Sequence, residues 1–257
     1  MLLVISPAKT LDFDSPVRLR KATMPDFLED SSRLVDKLRH LTPGQLSTLM
    51  GISPALGELN RDRFNAWHTP FDKHNARQAL FAFKGDVYLG LDAPALSATD
   101  ITYAQEHLRI LSGLYGLLRP LDLIQPYRLE MGTTFKALGS TSLYDFWGER
   151  VTAALNELLL KERHPLLVNL ASVEYYKVVR EKQLQGRVIS PVFKDFSNGQ
   201  YKIVSFFAKK ARGLMSAWIL RNRLKRPEDL LAFDVDGYCY SAKDSTADTP
   251  VFLRRED

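Results

Sequence analysis

Apolar and polar positions recur along this chain at several rhythms, and each rhythm predicts a different element. Leu2-Leu3-Val4-Ile5 is a short, uninterrupted apolar run, which predicts a buried strand. The segment 6–20 that follows, with prolines at 7 and 16, has no period and reads as irregular. Helical spacing then predicts helices over residues 25–41, Pro43–Met50 and Pro54–Ala66. Each is opened by a proline, suited to a first turn where the missing N–H has no partner anyway. A further amphipathic helix is predicted over residues 144–163 and a buried strand over Leu166–Leu170.

Two apolar runs, 188–196 and 201–207, flank Ser197-Asn198-Gly199-Gln200, and Asn-Gly between such runs predicts a hairpin. Over residues 208–224, Ala211, Leu214, Met215, Trp218 and Ile219 share one face of a helix and read as core. Lys209, Lys210, Arg212, Arg221 and Arg223 then fan over its other faces. Short strand-like pieces close the chain at 237–240 and 251–253. Helices and hairpin strands interleave without regular βαβ alternation, which predicts an α+β fold, a mixed sheet surrounded by helices. No repeat, low-complexity tract or Pro/Gly/Ser linker divides the chain, so residues 1–257 are expected to form a single domain.

Composition narrows the class. With 45% hydrophobic and 25% charged residues the chain resembles an ordinary globular protein. One cysteine, Cys239, excludes an internal disulfide and any cysteine-built metal cluster, and fits a reducing, cytoplasmic setting. The apolar start is too short for a signal peptide, and no stretch reaches the ~20 apolar residues of a membrane span. The protein is expected to be soluble and not exported. Charge is uneven: residues 174–226 carry 13 basic and 3 acidic side chains, a balance of +10, while the rest carry 22 and 27, or −5. That segment is either a solvated helix face or a surface for a polyanion.

Two places suggest anion binding. Leu49-Met50-Gly51-Ile52-Ser53-Pro54 joins two short helices and resembles a helix-hairpin-helix turn, whose amides face a phosphate at the second helix start. Ser53 stands where that module has its second glycine, and basic residues arrive only at Arg61 and Arg63, so an ordinary helical hairpin is the alternative. Second, Lys209, Lys210 and Arg212 are expected in the first turn of their helix, against the dipole, a conflict a bound phosphate relieves. A water-screened turn is the alternative. Common nucleotide-binding and hydrolase motifs are absent, and His40, His68, His74, His107 and His164 are scattered, so neither cofactor nor metal is expected. Lys9 and Lys84-Gly85-Asp86 are candidates for amine or carboxylate catalysis, with ion pairing as the competing explanation. The same ion-pair reading applies to Arg119, Asp122, Arg128 and Glu130.

Several long motifs carry a resemblance: Ser6-Pro7-Ala8-Lys9-Thr10-Leu11-Asp12, Phe83-Lys84-Gly85-Asp86-Val87-Tyr88, Leu111 to Asp122 running on through Gln125 to Gly132, Asn169-Leu170-Ala171-Ser172, and Phe207 to Met215. Together they resemble the bacterial YaaA family of peroxide stress resistance proteins, over nearly the whole chain. The resemblance implies a cytosolic protein of the hydrogen peroxide response that keeps unincorporated iron low. It also implies an α+β fold with a positive cleft, a helix-hairpin-helix element and duplex DNA binding. The hairpin then falls on Gly51, Ile52 and Ser53, and Lys9, Lys209, Lys210 and Arg212 match the family's basic motifs. The leading expectation is a monomer that binds double-stranded DNA through phosphates without reading sequence. The alternative is a glycosylase or lyase acting on damaged DNA through Lys9, Lys84 or Asp86.

Overall fold

In the computed structural model, which describes every residue except 18, 137, 256 and 257, the chain opens on strand β1 (Leu2–Ile5), buried at all four positions. A two-residue β2 (Thr10–Leu11) and helices α1 (Leu28–Leu38), α2 (Pro43–Met50) and α3 (Pro54–Ala66) follow. The last two fall where expected because their start signals are local. Thr42 and Ser53 cap them by accepting the N–H of Gln45 and Leu56, and Gln45 returns the bond to Thr42 in a capping box. α1 starts later than expected, leaving Pro25 outside; Phe27 takes the cap position, and the Ser31 hydroxyl donates to its carbonyl at 2.9 Å.

Through the middle run β3 (Arg77–Gln78), α4 (Ala79–Ala82), β4 (Phe83–Lys84), α5 (Asp86–Leu91), α6 (Ala98–His107), β5 (Leu108–Ser112), β6 (Gly116–Leu118) and β7 (Leu123–Ile124). The helix expected over 144–163 is two helices, α7 (Leu143–Trp147) and α8 (Arg150–Leu159). Gly148 between them takes φ +51°, which a right-handed helix cannot accommodate. β8 (Leu166–Leu170) is the expected buried strand and runs into α9 (Val173–Tyr176). The strand expected over 188–196 also divides, into β9 (Arg187–Ile189) and β10 (Val192–Ser197). Pro191, with no N–H to give a ladder, sits at the division. β11 (Gln200–Lys202) completes the expected hairpin through Asn198 and Gly199, both at positive φ. It stops at Lys202 and α10 (Ser205–Asn222) begins where strand was expected to 207; β12 (Cys239–Tyr240) and β13 (Val251–Arg254) end the fold.

The main sheet has the order β6-β5-β1-β8-β9. β1 lies at its centre, parallel to β5 on one side and β8 on the other, with β9 parallel to β8 and β6 antiparallel at the edge. Its continuous apolar pattern follows from burial on both faces. The second sheet, β11-β10-β13-β12, carries the hairpin. α10 packs against α5, α6 and one strand of each sheet, β8 and β10, so burial spreads beyond the expected stripe to Ala208, Gly213, Ser216, Ala217 and Leu220. Where α10 crosses α5 the backbones touch: a Cβ on Gly90 would lie 2.1 Å from the Lys210 carbonyl oxygen, and one on Gly213 would lie 1.9 Å from that of Val87. One contiguous core joins both sheets, with Leu96, Ile101 and Leu121 in a small satellite. The fold class is α+β, as the sequence predicts.

Candidate nucleic-acid interface

Parallel strands present their carboxyl ends to one side of a sheet, the usual place for a site in such folds. Here β1 ends beside β8. The Ser172 N–H donates to Ser6 Oγ at 2.9 Å, and the buried Tyr88 hydroxyl donates to the Ser6 carbonyl at 3.2 Å. The chain leaving β1 carries Lys9 out to an exposed position, where its Nζ lies 2.7 Å from Glu130 Oε2. Arg128 holds the other Glu130 oxygen at 3.1 Å, and its Nε is buried without an acceptor among the described residues. Arg63, reaching in from α3, is half-buried, and burial followed by the charge of Arg128 lowers its pKa. It has no acidic partner among the described residues. Two cations therefore share one carboxylate, and the charge of Arg63 stands near Arg128 without one among the described residues.

The α2–α3 turn borders the same place. A cavity of about 660 Å3 is lined by Thr48 and Gly51 from the turn and by Glu130, Gly132, Thr133 and Glu174 opposite. Gly51 takes φ +61° and closes α2. Ile52 is half-buried and gives its N–H to the Ser47 carbonyl at 3.0 Å, while Ser53 caps α3. Pro54 has no N–H, so the Ser53 and Ala55 amides are the ones at this helix start without a described bond. Glu174 lies across the cavity, accepting from the Gly132 N–H at 3.0 Å. Of the two arginines expected to serve the hairpin, Arg61 is turned back on its own scaffold, donating to the Leu41 carbonyl at 2.9 Å and Asn65 at 3.4 Å. Arg63 alone joins the Arg128 cluster.

The α10 cations are arranged differently. The helix begins at Ser205, so Lys209 and Lys210 lie in its second turn and Arg212 beyond them; the expected clash with the dipole does not arise. Phe206 and Phe207 look like strand in the sequence but form the first turn. Lys209 is exposed with no acidic partner among the described residues. Lys210 pairs with Asp236 at 3.2 Å, and Asp236 also receives Arg254 at 2.9 Å. Arg254 in turn holds Asp195 at 2.6 Å, with the Tyr238 hydroxyl on the same carboxylate and the Phe207 ring beneath the guanidinium. Arg212 is half-buried and its pKa is lowered by that burial. Elsewhere in the basic segment, Arg180, Arg187, Arg223 and Arg226 pair with Glu149, Asp248, Asp100 and Asp229. Much of the +10 balance is neutralised by acids from other parts of the chain.

The remaining candidates separate clearly. Lys84 is exposed and lies 3.7 Å from Asp12 rather than pairing with Asp86, which opens α5. Arg119 pairs with buried Asp122 at 3.0 Å, the ion pair expected there. Among the described residues no three His, Cys, Asp or Glu side chains are placed to hold a metal ion. No described helix is long and apolar enough to cross a membrane. The contribution of Arg128 beside Arg63 went unread in the sequence: the two are 65 positions apart, and neither carries a local signal for the other.

Fold and site define an α+β protein with a cleft at the carboxyl ends of parallel strands, lined by Glu130 and Glu174, with Lys9 and Arg128 bonded to Glu130. The family model described as peroxide stress protein YaaA matches residues 1–244. Full-length relatives named UPF0246 protein occur in Teredinibacter turnerae (57% identical, 100% of both chains), Shewanella loihica (55%, 100% of this chain and 99% of that one) and Ralstonia pickettii (54%, 99% of both). The chain belongs to the YaaA family of peroxide stress proteins, which supports a role in the response to peroxide stress.

Proposed function

We propose that this protein binds duplex DNA through backbone phosphates, without reading sequence, in the cleft between the α2–α3 turn and Glu130. One observation carries the reading: half-buried Arg63 lies near enough to half-buried Arg128 for the two charges to oppose each other, and among the described residues the acid bonded to this group is Glu130, shared by Arg128 and Lys9. Desolvated like charges are unfavourable unless an anion joins them. A phosphate oxygen entering the cleft would take Lys9 and Arg128 from Glu130, meet Arg63, and leave the Ser53 and Ala55 amides for a neighbouring phosphate. Lys209 and Arg212 extend the field from α10, and Lys210 contributes less because Asp236 holds it. The protein acts in the cytosol as a monomer, with no cofactor and no resident metal. Lowered unincorporated iron then follows indirectly, and peroxide damage to DNA is limited at the bound duplex. Titration of scrambled duplexes of one length tests this: equal affinities support it, and a strong preference for one sequence contradicts it.

A second reading, lesion processing, is favoured by one contact. Lys9 sets an amine 2.7 Å from a carboxylate at the cleft rim, the pair that imine chemistry on an abasic-site aldehyde needs. Lys84 has Asp12 at 3.7 Å, away from this cleft, and Asp86 opens α5. Borohydride trapping on a duplex with an abasic site gives a covalent adduct dependent on Lys9 if this reading holds, and none if the protein only binds.

A further inference from the structure

A second cavity, of about 570 Å3, shares no lining residue with the hairpin cleft. Val17 and Leu19, from the irregular segment after β2, face Leu80, Phe81 and Phe83, with Leu96 and Ile101 closing the far wall. The volume and the apolar walls suit a small molecule.

Its polar groups are unequal. Asp12 is fully engaged: it accepts the N–H of Asp14 and Ser15 at 3.1 and 2.9 Å and the Ser15 hydroxyl at 2.7 Å, with Lys84 at 3.7 Å. Asp92 stands exposed at the rim. Arg77 is the exception. Its side chain lines the cavity and its Nε is sealed from water, yet it donates to no acceptor among the described residues; Asp12 acts on it only through its charge. Arg39 and Arg128 also keep a buried Nε without an acceptor among the described residues, but another nitrogen of each guanidinium is held, by the Trp67 carbonyl and by Glu130. Arg109 donates to the carbonyls of Gln105 and Leu108, and Arg119 pairs with Asp122. A guanidinium offers a flat fork of donors that matches a carboxylate, and leaving it unmet beside an apolar cavity is costly.

We propose that this cavity binds a small apolar carboxylic acid, its body against Leu80, Phe81 and Phe83 and its carboxylate between Arg77 and Lys84. The Lys84-Gly85 motif thereby gains a role that the DNA reading leaves open: Lys84, held loosely by Asp12, supplies the second cation at the mouth.

Calorimetric titration of the full-length protein with 1-naphthoate, and with its neutral amide 1-naphthamide, tests the assignment. The expected result is one saturable naphthoate site per chain, with the amide bound more weakly. Arg77→Gln should weaken naphthoate about tenfold or more and leave the amide unchanged, since a hydrogen bond to a charged group is what it removes. Ala93→Phe, which fills the cavity, should abolish both; if that variant does not fold, the acid–amide comparison on Arg77→Gln decides alone. Equal binding of acid and amide, naphthoate affinity untouched by Arg77→Gln, or no saturable binding to the wild-type protein would each overturn the proposal. Thermal unfolding of Arg77→Met gives a second reading: a melting temperature equal to or above wild type fits a binding arginine, and a clear fall means that the arginine is structural.

Discussion

The hairpin cleft and the α10 region both collect cations, but they answer them with opposite chemistry. At the cleft, Lys9 and Arg128 share Glu130, and Arg63, near the charge of Arg128, is left without a carboxylate among the described residues. On α10 the cationic sequence runs into acids contributed by distant segments, ending in the buried Arg254–Asp195 pair. Among the described residues, five of the thirteen cations in the richer basic segment are thereby paired with acids from outside it. Charge counted along a chain predicts a surface only after the long-range ion pairs have been removed from the count.

The largest effect expected from this contrast is on stability. Asp195 and Arg254 are both almost wholly buried, so Asp195→Ala takes away the guanidinium's buried partner, leaving it to part-exposed Asp236, and should cost up to about 3–5 kcal/mol, read as a marked drop in melting temperature. A variant that melts like wild type would show that the network is not structural. In the cleft the sign reverses for binding. Glu130→Gln frees Lys9 and Arg128 and should tighten duplex binding several-fold; weaker binding would mean that Glu130 organises the site rather than competing for it. On α10, changing Lys209, Lys210 and Arg212 together to Ala should make the salt dependence of binding shallower by at most about 2 in log–log slope, from Lys209 and Arg212. Breaking the part-exposed Lys210–Asp236 pair should cost only about 0–1 kcal/mol.

The smallest effect concerns acid. Bonds from the Ser15 hydroxyl and N–H hold the Asp12 carboxyl down at about 2, below its ordinary 3.8. Because the folded value is the lower one, this contribution is complete above about pH 4 and is lost as pH falls through about 2. Asp12→Asn should flatten the melting curve against pH in that window alone.

The sequence was most legible where structure is decided locally. Thr42-Pro43 and Ser53-Pro54 mark α2 and α3 to the residue, and Asn198-Gly199 marks the hairpin. It misled where a local pattern ran across a break: Gly148 inside an amphipathic run, Pro191 inside an apolar one, and Phe206-Phe207 at the start of a helix that packs between two sheets. Arg63 was legible as a basic residue after the hairpin, but its meeting with Arg128 was not, because α3 and the segment after β7 come together only in the folded core. Nor does the sequence pair Lys210 with Asp236, which lies 26 residues away.

Salt dependence of duplex binding, measured side by side on the wild-type protein and Arg63→Gln, tests the phosphate account most directly. With about five phosphate contacts the wild-type log–log slope should be roughly −4 to −5, and removing one unpaired cation should make it shallower by about 1 at every duplex sequence. Melting temperature should hold or rise, since a half-buried, unpaired charge has been removed. A wild-type slope near zero, or a slope that Arg63→Gln leaves unchanged, would contradict the account.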